Sequence, residues 1–222
     1  MPRTALVTGG NRGIGLEVCR QLAAAGQHVV LTARDPARAA AAAEPLGVRA
    51  EQLDVTDPDS VTACAQRLDA AGVAVDVLVN TAGVYPGTPV LRAGEAELTE
   101  AFQINALGVW RTCRAFVPPM RDRGWGRVVA VSTASAQMGG SPPAAAAWSK
   151  TALNALTRIV AAEAGPRVLV NAADPGWVAT GLGGSDAPTS LAEGADTVVW
   201  LATLPDDGPT GGFWHRRQRI PW

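Results

Sequence analysis

The chain has 222 residues, with 19 basic and 20 acidic side chains and a formal net charge of -1. That length suits one large domain, and an apolar share of 47% excludes intrinsic disorder. Charge balance argues against general nucleic-acid binding, which needs an excess of basic groups, and no apolar run approaches a membrane span. Cys19, Cys64 and Cys113 are odd in number and widely spaced, so neither a disulfide framework nor a metal cluster is expected. The N-terminal apolar run, Ala5-Leu6-Val7, is too short for a secretory signal. The expectation is a cytoplasmic protein with no nucleic-acid or membrane partner and no metal.

In chain order, Thr4-Ala5-Leu6-Val7-Thr8 reads as a buried strand followed by glycines. Residues 13–25 carry Ile14, Val18 and Leu22 at helical spacing and stop before Gly26. A second strand is expected at 28–32, an Ala-rich helix at 36–46 and a third strand at 49–53. Asp57 is a candidate N-cap with Pro58 in the first turn of the next helix. Strand 75–79, a long helix 95–120, strand 127–131, helix 144–164, strand 167–171 and helix 191–203 follow. Such alternation predicts a parallel sheet covered on both faces.

Thr8-Gly9-Gly10-Asn11-Arg12-Gly13-Ile14-Gly15 lies between the first strand and the first helix. A glycine-rich turn there brings backbone close to a pyrophosphate, and the helix N-terminus offers unpaired N–H groups. One further count matters: 18 of the basic residues are Arg, and Lys150 is the single Lys. In so Arg-rich a chain, a solvated position would be Arg, so a compact ammonium here is better explained by chemistry. Tyr85 is the only Tyr.

The spacing G-x-x-x-G-x-G resembles that of the short-chain dehydrogenase/reductase superfamily. The likeness continues in Asn80-Thr81-Ala82-Gly83, in Asn105, in Ser132-Thr133, in Ser149-Lys150 and in Pro175-Gly176-Trp177-Val178-Ala179-Thr180. The glycine loop, the P-G-W-V segment and the closing Pro205-Asp206-Asp207-Gly208-Pro209-Thr210-Gly211-Gly212-Phe213 look most like the carbonyl-reductase branch. The resemblance implies a single doubly wound Rossmann domain over 1–222, with a mostly parallel seven-stranded sheet, helices on both faces and a short substrate lid at 177–190. It also implies an NADP(H)-dependent oxidoreductase acting on a ketone, aldehyde or quinone.

By the same resemblance, Gly9, Asn11, Arg12, Gly13, Ile14 and Gly15 hold the pyrophosphate. Arg34, with Arg12, meets the 2′-phosphate of NADP, although Asp35, one residue later, could favour NAD. Asp54 and Val55 hold the adenine. Asn80, Ala82 and Gly83, then Pro175, Gly176, Val178 and Thr180, line the rest of the nucleotide site, and Lys150 takes the nicotinamide ribose.

The family's catalytic set is Asn, Ser, Tyr and Lys. Asn105 and Lys150 match. Counting 13 residues back from position 146 puts Thr133 in the place of Ser, with Ser132 and Ser135 as substitutes. Position 146, four before Lys150, should be Tyr and is Ala146. Three accounts stand: a chain in which an original Tyr was replaced; a pocket turned to non-redox cyclisation, dehydration or isomerisation; or a reductase with another donor, water or Tyr85. A non-catalytic NADP-binding protein is a further reading. Asp174, before Pro175, is a candidate acid or base, or else a loop cap. Trp177, Tyr85, Trp148 and Met138 are candidate pocket walls. The helices at 95–120 and 144–164 are expected to pair copies into a homodimer or homotetramer.

Overall fold

The computed structural model describes residues 2–134 and 144–222. Strands β1 (Thr4–Thr8), β2 (His28–Ala33), β3 (Arg49–Gln52), β4 (Val77–Asn80), β5 (Gly126–Val131), β6 (Val168–Asp174), β7 (Phe213–His215) and β8 (Gln218–Ile220) form one sheet. Its order is β3-β2-β1-β4-β5-β6-β7-β8. Every neighbouring pair is parallel except β7 with β8. The expected seven strands are therefore eight. The chain turns back after His215 and adds a short antiparallel edge.

Seven α-helices complete the fold: α1 (Gly13–Ala24), α2 (Pro36–Ala43), α3 (Pro58–Ala70), α4 (Glu95–Phe102), α5 (Gly108–Asp122), α6 (Ala144–Glu163) and α7 (Leu191–Ala202). Successive strand residues point to opposite faces, so one apolar run feeds two cores. Ala5 and Val7 of β1 pack with Val18 and Leu22 of α1 and with Val198 of α7. Leu6 points the other way, with Leu68 of α3, Phe116 of α5 and Leu153 of α6. This two-sided cover is why the strands read as continuous apolar stretches.

Local chemistry sets the helix starts. The Asp57 side chain accepts from the Asp59 N–H at 2.9 Å, with Pro58 at the first helical position. Ser190 and Glu193 form a reciprocal capping box on α7. Two expected helices are subdivided. Residues 36–46 become α2 plus a 3-10 turn at Glu44–Leu46, where Pro45 removes a backbone donor. Residues 95–120 become α4 and α5, joined through a π turn at Gln103–Leu107. Among the described residues, no helix is long and apolar enough to cross a membrane.

The sheet order reverses direction between β1 and β4, which opens a crevice beyond the carboxyl ends of these strands. The glycine loop, the turn after β4 and the segment after β6 all start there.

Candidate active site

Gly9 takes φ +62°, and a Cβ on it would stand 2.9 Å from Ala82 Cα. Only glycine lets the loop after β1 press so closely against the turn after β4. Thr8 ties the two together: its Oγ1 accepts from the Thr81 and Ala82 N–H groups at 3.1 and 3.2 Å, and Thr81 Oγ1 donates to Thr8 O. Gly15 has no room for a Cβ beside Gly9 O and Thr81 Oγ1. Gly13, at φ +56°, faces Thr180, whose Cγ2 would be 3.7 Å from its Cβ. The sequence-predicted positions 9, 13, 15, 82 and 180 thus meet in one cradle. Ile14 turns back onto the core beneath.

Arg12, the N-cap residue of α1, places no side-chain acceptor on the first turn, and that turn has no acidic residue. Its N–H groups are left for an outside anion. A dinucleotide pyrophosphate fits this cradle. Arg12, at the start of α1, and Arg34, directly after β2, are both exposed. Asp35 caps α2, its Oδ1 accepting from Ala37 N at 2.9 Å and Arg38 N at 3.4 Å. Its other oxygen lies 3.5 Å from Arg38 Nε. The carboxylate that could have held ribose hydroxyls is engaged in starting a helix. Arg38 was not singled out from the sequence. It lines, with Asn11 and Arg20, a groove of about 590 Å³ between α1 and α2.

Asp54 Oδ1 accepts from the N–H and the hydroxyl of Thr56, at 2.9 and 2.7 Å. Val55 is buried against Gly108, where a Cβ would meet Val55 Cγ2 at 2.9 Å. Asn80 is buried at the end of β4 and accepts from Thr112 Oγ1 at 2.7 Å.

The π turn presents Asn105 to the turn after β4. Its Oδ1 accepts from Val84 N, and its Nδ2 donates to Val84 O and to Ser149 Oγ, all at 2.9 Å. Ser149 Oγ in turn donates to Ala146 O at 3.0 Å. A Cβ on Gly83 would lie 3.1 Å from Asn105 Oδ1 and 3.4 Å from Lys150 Nζ. Gly83, Asn105 and Lys150 therefore converge on one point.

Lys150 is buried and donates to Val131 O at 2.6 Å. Burial disfavours its charge and pulls the ammonium down to about 8. Ala146, one turn earlier on the same face of α6, is fully buried. Thr133 lies two residues after β5 and is half-buried. Ser132 donates its hydroxyl proton to Asn154 Oδ1 at 2.6 Å. Asn154 was also missed, although it lies one further turn along the face of Ala146 and Lys150. Ser135 and Met138 lie outside the described residues.

Pro175 and Gly176 follow β6, with Gly176 at φ +77°. Val178 is buried against Gly194 of α7. Thr180 Oγ1 accepts from Leu182 N and Gly183 N at 3.2 and 2.9 Å, and Trp177 Nε1 donates to Gly183 O at 2.7 Å. The segment is thus a compact turn bearing an exposed Trp177. Asp174 gives one oxygen to Gly176 N at 3.0 Å, and the other lies 3.2 Å from His215 Nδ1. It acts as the loop cap that one reading expected. Trp148 is no pocket wall. It sits exposed on the far side of α6 from Ala146 and Lys150, edge-on to Phe102 at 4.7 Å between ring centres.

A family model described as short chain dehydrogenase matches residues 3–190. The chain belongs to the short-chain dehydrogenase/reductase family. It is 33% identical over 288 aligned positions to (+)-neomenthol dehydrogenase of Arabidopsis thaliana, covering 98% of this chain and 97% of that protein. It is 33% identical over 279 positions to Carbonyl reductase [NADPH] 1 of Sus scrofa, covering 99% and 94%. A solved short chain dehydrogenase/reductase family protein superposes with a TM-score of 0.87 at 35% identity, covering 96% of this chain and 94% of that one. The chain is an oxidoreductase-family member of carbonyl-reductase type. Both relatives align over more positions than the chain has residues, so each carries insertions that this chain lacks.

Proposed function

We propose that the protein is an NADP(H)-dependent reductase of ketones, aldehydes or quinones whose proton-transfer step is impaired by Ala146. The reading rests above all on the convergence of Gly83, Asn105 and Lys150 beside a complete glycine cradle, with Ala one turn before Lys. Gly9, Asn11, Arg12, Gly13, Ile14 and Gly15 would hold the pyrophosphate. Arg12 and Arg34, with Arg38 nearby, would take the 2′-phosphate, as planar charge-assisted donors suited to it. The NADPH in the name of the pig relative supports this choice, as does the engagement of Asp35 as a cap. Asp54 and Val55 would flank the adenine. Asn80, Ala82, Gly83, Pro175, Gly176, Val178 and Thr180 would line the remainder, and Lys150 would hold the nicotinamide ribose.

The cofactor would supply hydride to the carbonyl carbon. Thr133 would donate a hydrogen bond to the carbonyl oxygen, polarising it. Ala146 has no proton to give, so the developing alkoxide takes one from water. Loss of a positioned general acid typically slows such a step by ~10²–10⁴.

The decisive experiment follows NADPH oxidation by this chain and by Ala146→Tyr against ketones, aldehydes and quinones. The variant is expected to turn over faster by roughly 10²–10⁴. If both proteins bind NADPH and neither oxidises it, hydride chemistry is wrong and a non-redox step takes its place. Asp174 is engaged on both oxygens, one accepting from the Gly176 N–H of the loop and the other facing His215 of β7.

We also propose a homodimer or homotetramer built on α5 and α6. Trp110, Trp148 and Ile159 expose 42%, 55% and 55% of their surface on these helices. Apolar side chains of that size left in water are what an association face would cover.

A further inference from the structure

Two residues 41 apart in sequence meet at the end of the sheet. Asp174 and His215 are register partners in the parallel pairing of β6 with β7. The Asp174 carboxylate is buried, with its side chain 7% exposed, while the imidazole is 34% exposed. Asp174 Oδ1 accepts from Gly176 N at 3.0 Å, and Oδ2 lies 3.2 Å from His215 Nδ1. The hydrogen bond of Nδ1 is with the main-chain oxygen of the same residue, Asp174 O, at 3.2 Å. The imidazole also backs the next turn: its Cε1 would be 3.4 Å from a Cβ on Gly176.

Thr189 also touches the turn, its Oγ1 3.6 Å from where a Cβ on Gly176 would stand. Pro175 borders a cavity of about 220 Å³ lined also by Thr189, Glu193, Thr197 and Arg216. The Asp174 carboxylate thus holds the 175–176 turn at the Gly176 N–H, and His215 lies against Asp174.

His215 is itself anchored. Arg216 and Arg217 follow it at φ +48° and +60°. Glycine or asparagine normally fills such a tight hairpin, since bulky side chains are strained there. The strain is held by α7. Arg217 grips Asp196 with two nitrogens, at 2.8 and 2.5 Å, and its N–H donates to Thr197 Oγ1 at 3.1 Å. A hairpin pinned at this cost holds the imidazole in one place.

We infer that His215 is a positioning residue for the nucleotide-facing 175–176 turn, acting through Asp174, whose main-chain oxygen and carboxylate both lie against its Nδ1. The link runs from α7 through Arg217 and His215 to Asp174 and Gly176 N. Its consequence for nucleotide affinity rests on the function proposed above. The link itself does not.

The test measures amide hydrogen exchange without nucleotide, together with NADPH affinity, in the wild-type chain, His215→Ala and His215→Asn. Asn can place a side-chain N–H near the position of the imidazole Nδ1. In His215→Ala, exchange across 175–183 is expected to quicken about tenfold, with NADPH bound about tenfold more weakly. Exchange in β6 and β7 should stay as in wild type, because the backbone ladder does not need the imidazole. His215→Asn should restore both quantities. A general loss of folding would instead open β6 and β7 as well. Unchanged exchange across 175–183 in His215→Ala overturns the inference, and so does His215→Asn behaving as His215→Ala. If the alanine variant fails to fold, His215→Asn and Asp174→Ala decide: the first must keep slow exchange and the second must lose it. If the wild-type chain does not bind NADPH, the nucleotide reading falls, and exchange alone judges the link.

Discussion

Replacing Lys150 by Met removes the buried ammonium and should leave a pH signature in stability. Burial lowers this group from 10.5 to about 8 in the folded chain. Below pH 8 the lysine is protonated whether folded or not, and the fold bears the desolvation of its charge. Between about 8 and 10.5 the unfolded chain still binds a proton that the folded chain has released. Stability from this group therefore rises with pH across that window and is level above it. At 1.36 kcal/mol per pKa unit, the increment is ~3 kcal/mol. Three thiols act in the opposite sense. Burial pushes Cys19 and Cys113 up to about 12 and Cys64 to about 11, so the unfolded chain ionises them first. These terms are common to wild type and variant and cancel in the difference. The assay is urea unfolding of wild type and Lys150→Met at a series of pH values, followed by tryptophan fluorescence. The wild-type-minus-variant free energy should climb by ~3 kcal/mol between neutral pH and the top of the window. A difference that stays level would refute the reasoning and place the ammonium in a solvated setting.

Arg34→Ala and Arg12→Ala should each weaken NADPH binding by roughly 10–100-fold, the worth of a charge-assisted hydrogen bond, and leave NADH affinity nearly unchanged. Parallel titrations of both nucleotides would check this, and equal losses for both would count against a 2′-phosphate contact. Gly9→Ala puts a methyl 2.9 Å from Ala82 Cα at φ +62°, and should lower stability by about 1–3 kcal/mol in thermal unfolding. Trp110→Asp combined with Ile159→Asp should convert the proposed oligomer to a monomer in light scattering, with the far-ultraviolet dichroism of the fold retained.

Much of the architecture could be read from residue patterns, because a doubly covered parallel sheet writes its strands as apolar runs. β1 and β2 begin where expected. β6 runs on to Asp174 since Ala172 and Ala173 are small enough to sit in the sheet between two packed layers. β8 was not legible. It is three residues long, partly charged, and its turn holds Arg216 and Arg217 where glycine or asparagine would have signalled a hairpin. The π turn left no trace either, as one extra residue in a helical stretch does not disturb apolar spacing enough to notice.

The site divides in the same way. Its glycines and Lys150 lie in short motifs whose chemistry is local, so they were found. The partnership of Asp174 with His215 depends on the register of β6 against β7, and no local pattern encodes that. The role of Asp35 was open in the sequence because a cap and a ribose ligand can be the same residue type. The structure shows it capping α2, accepting from two N–H groups there.

The π turn at Gln103–Leu107 has a consequence for how this helical arm tolerates change in length. Each helical residue advances the chain by about 100° of rotation. Deleting one residue from the turn would give an unbroken α-helix of ordinary comfort, yet α4 would then face a different direction from the one it now presents to α6. Asn105 would swing away from Val84, and the seam between the strand turn and Ser149 would come apart. The wider turn is thus a spacer that keeps two rigid segments out of phase, and the chain cannot lose a residue there without losing that phase.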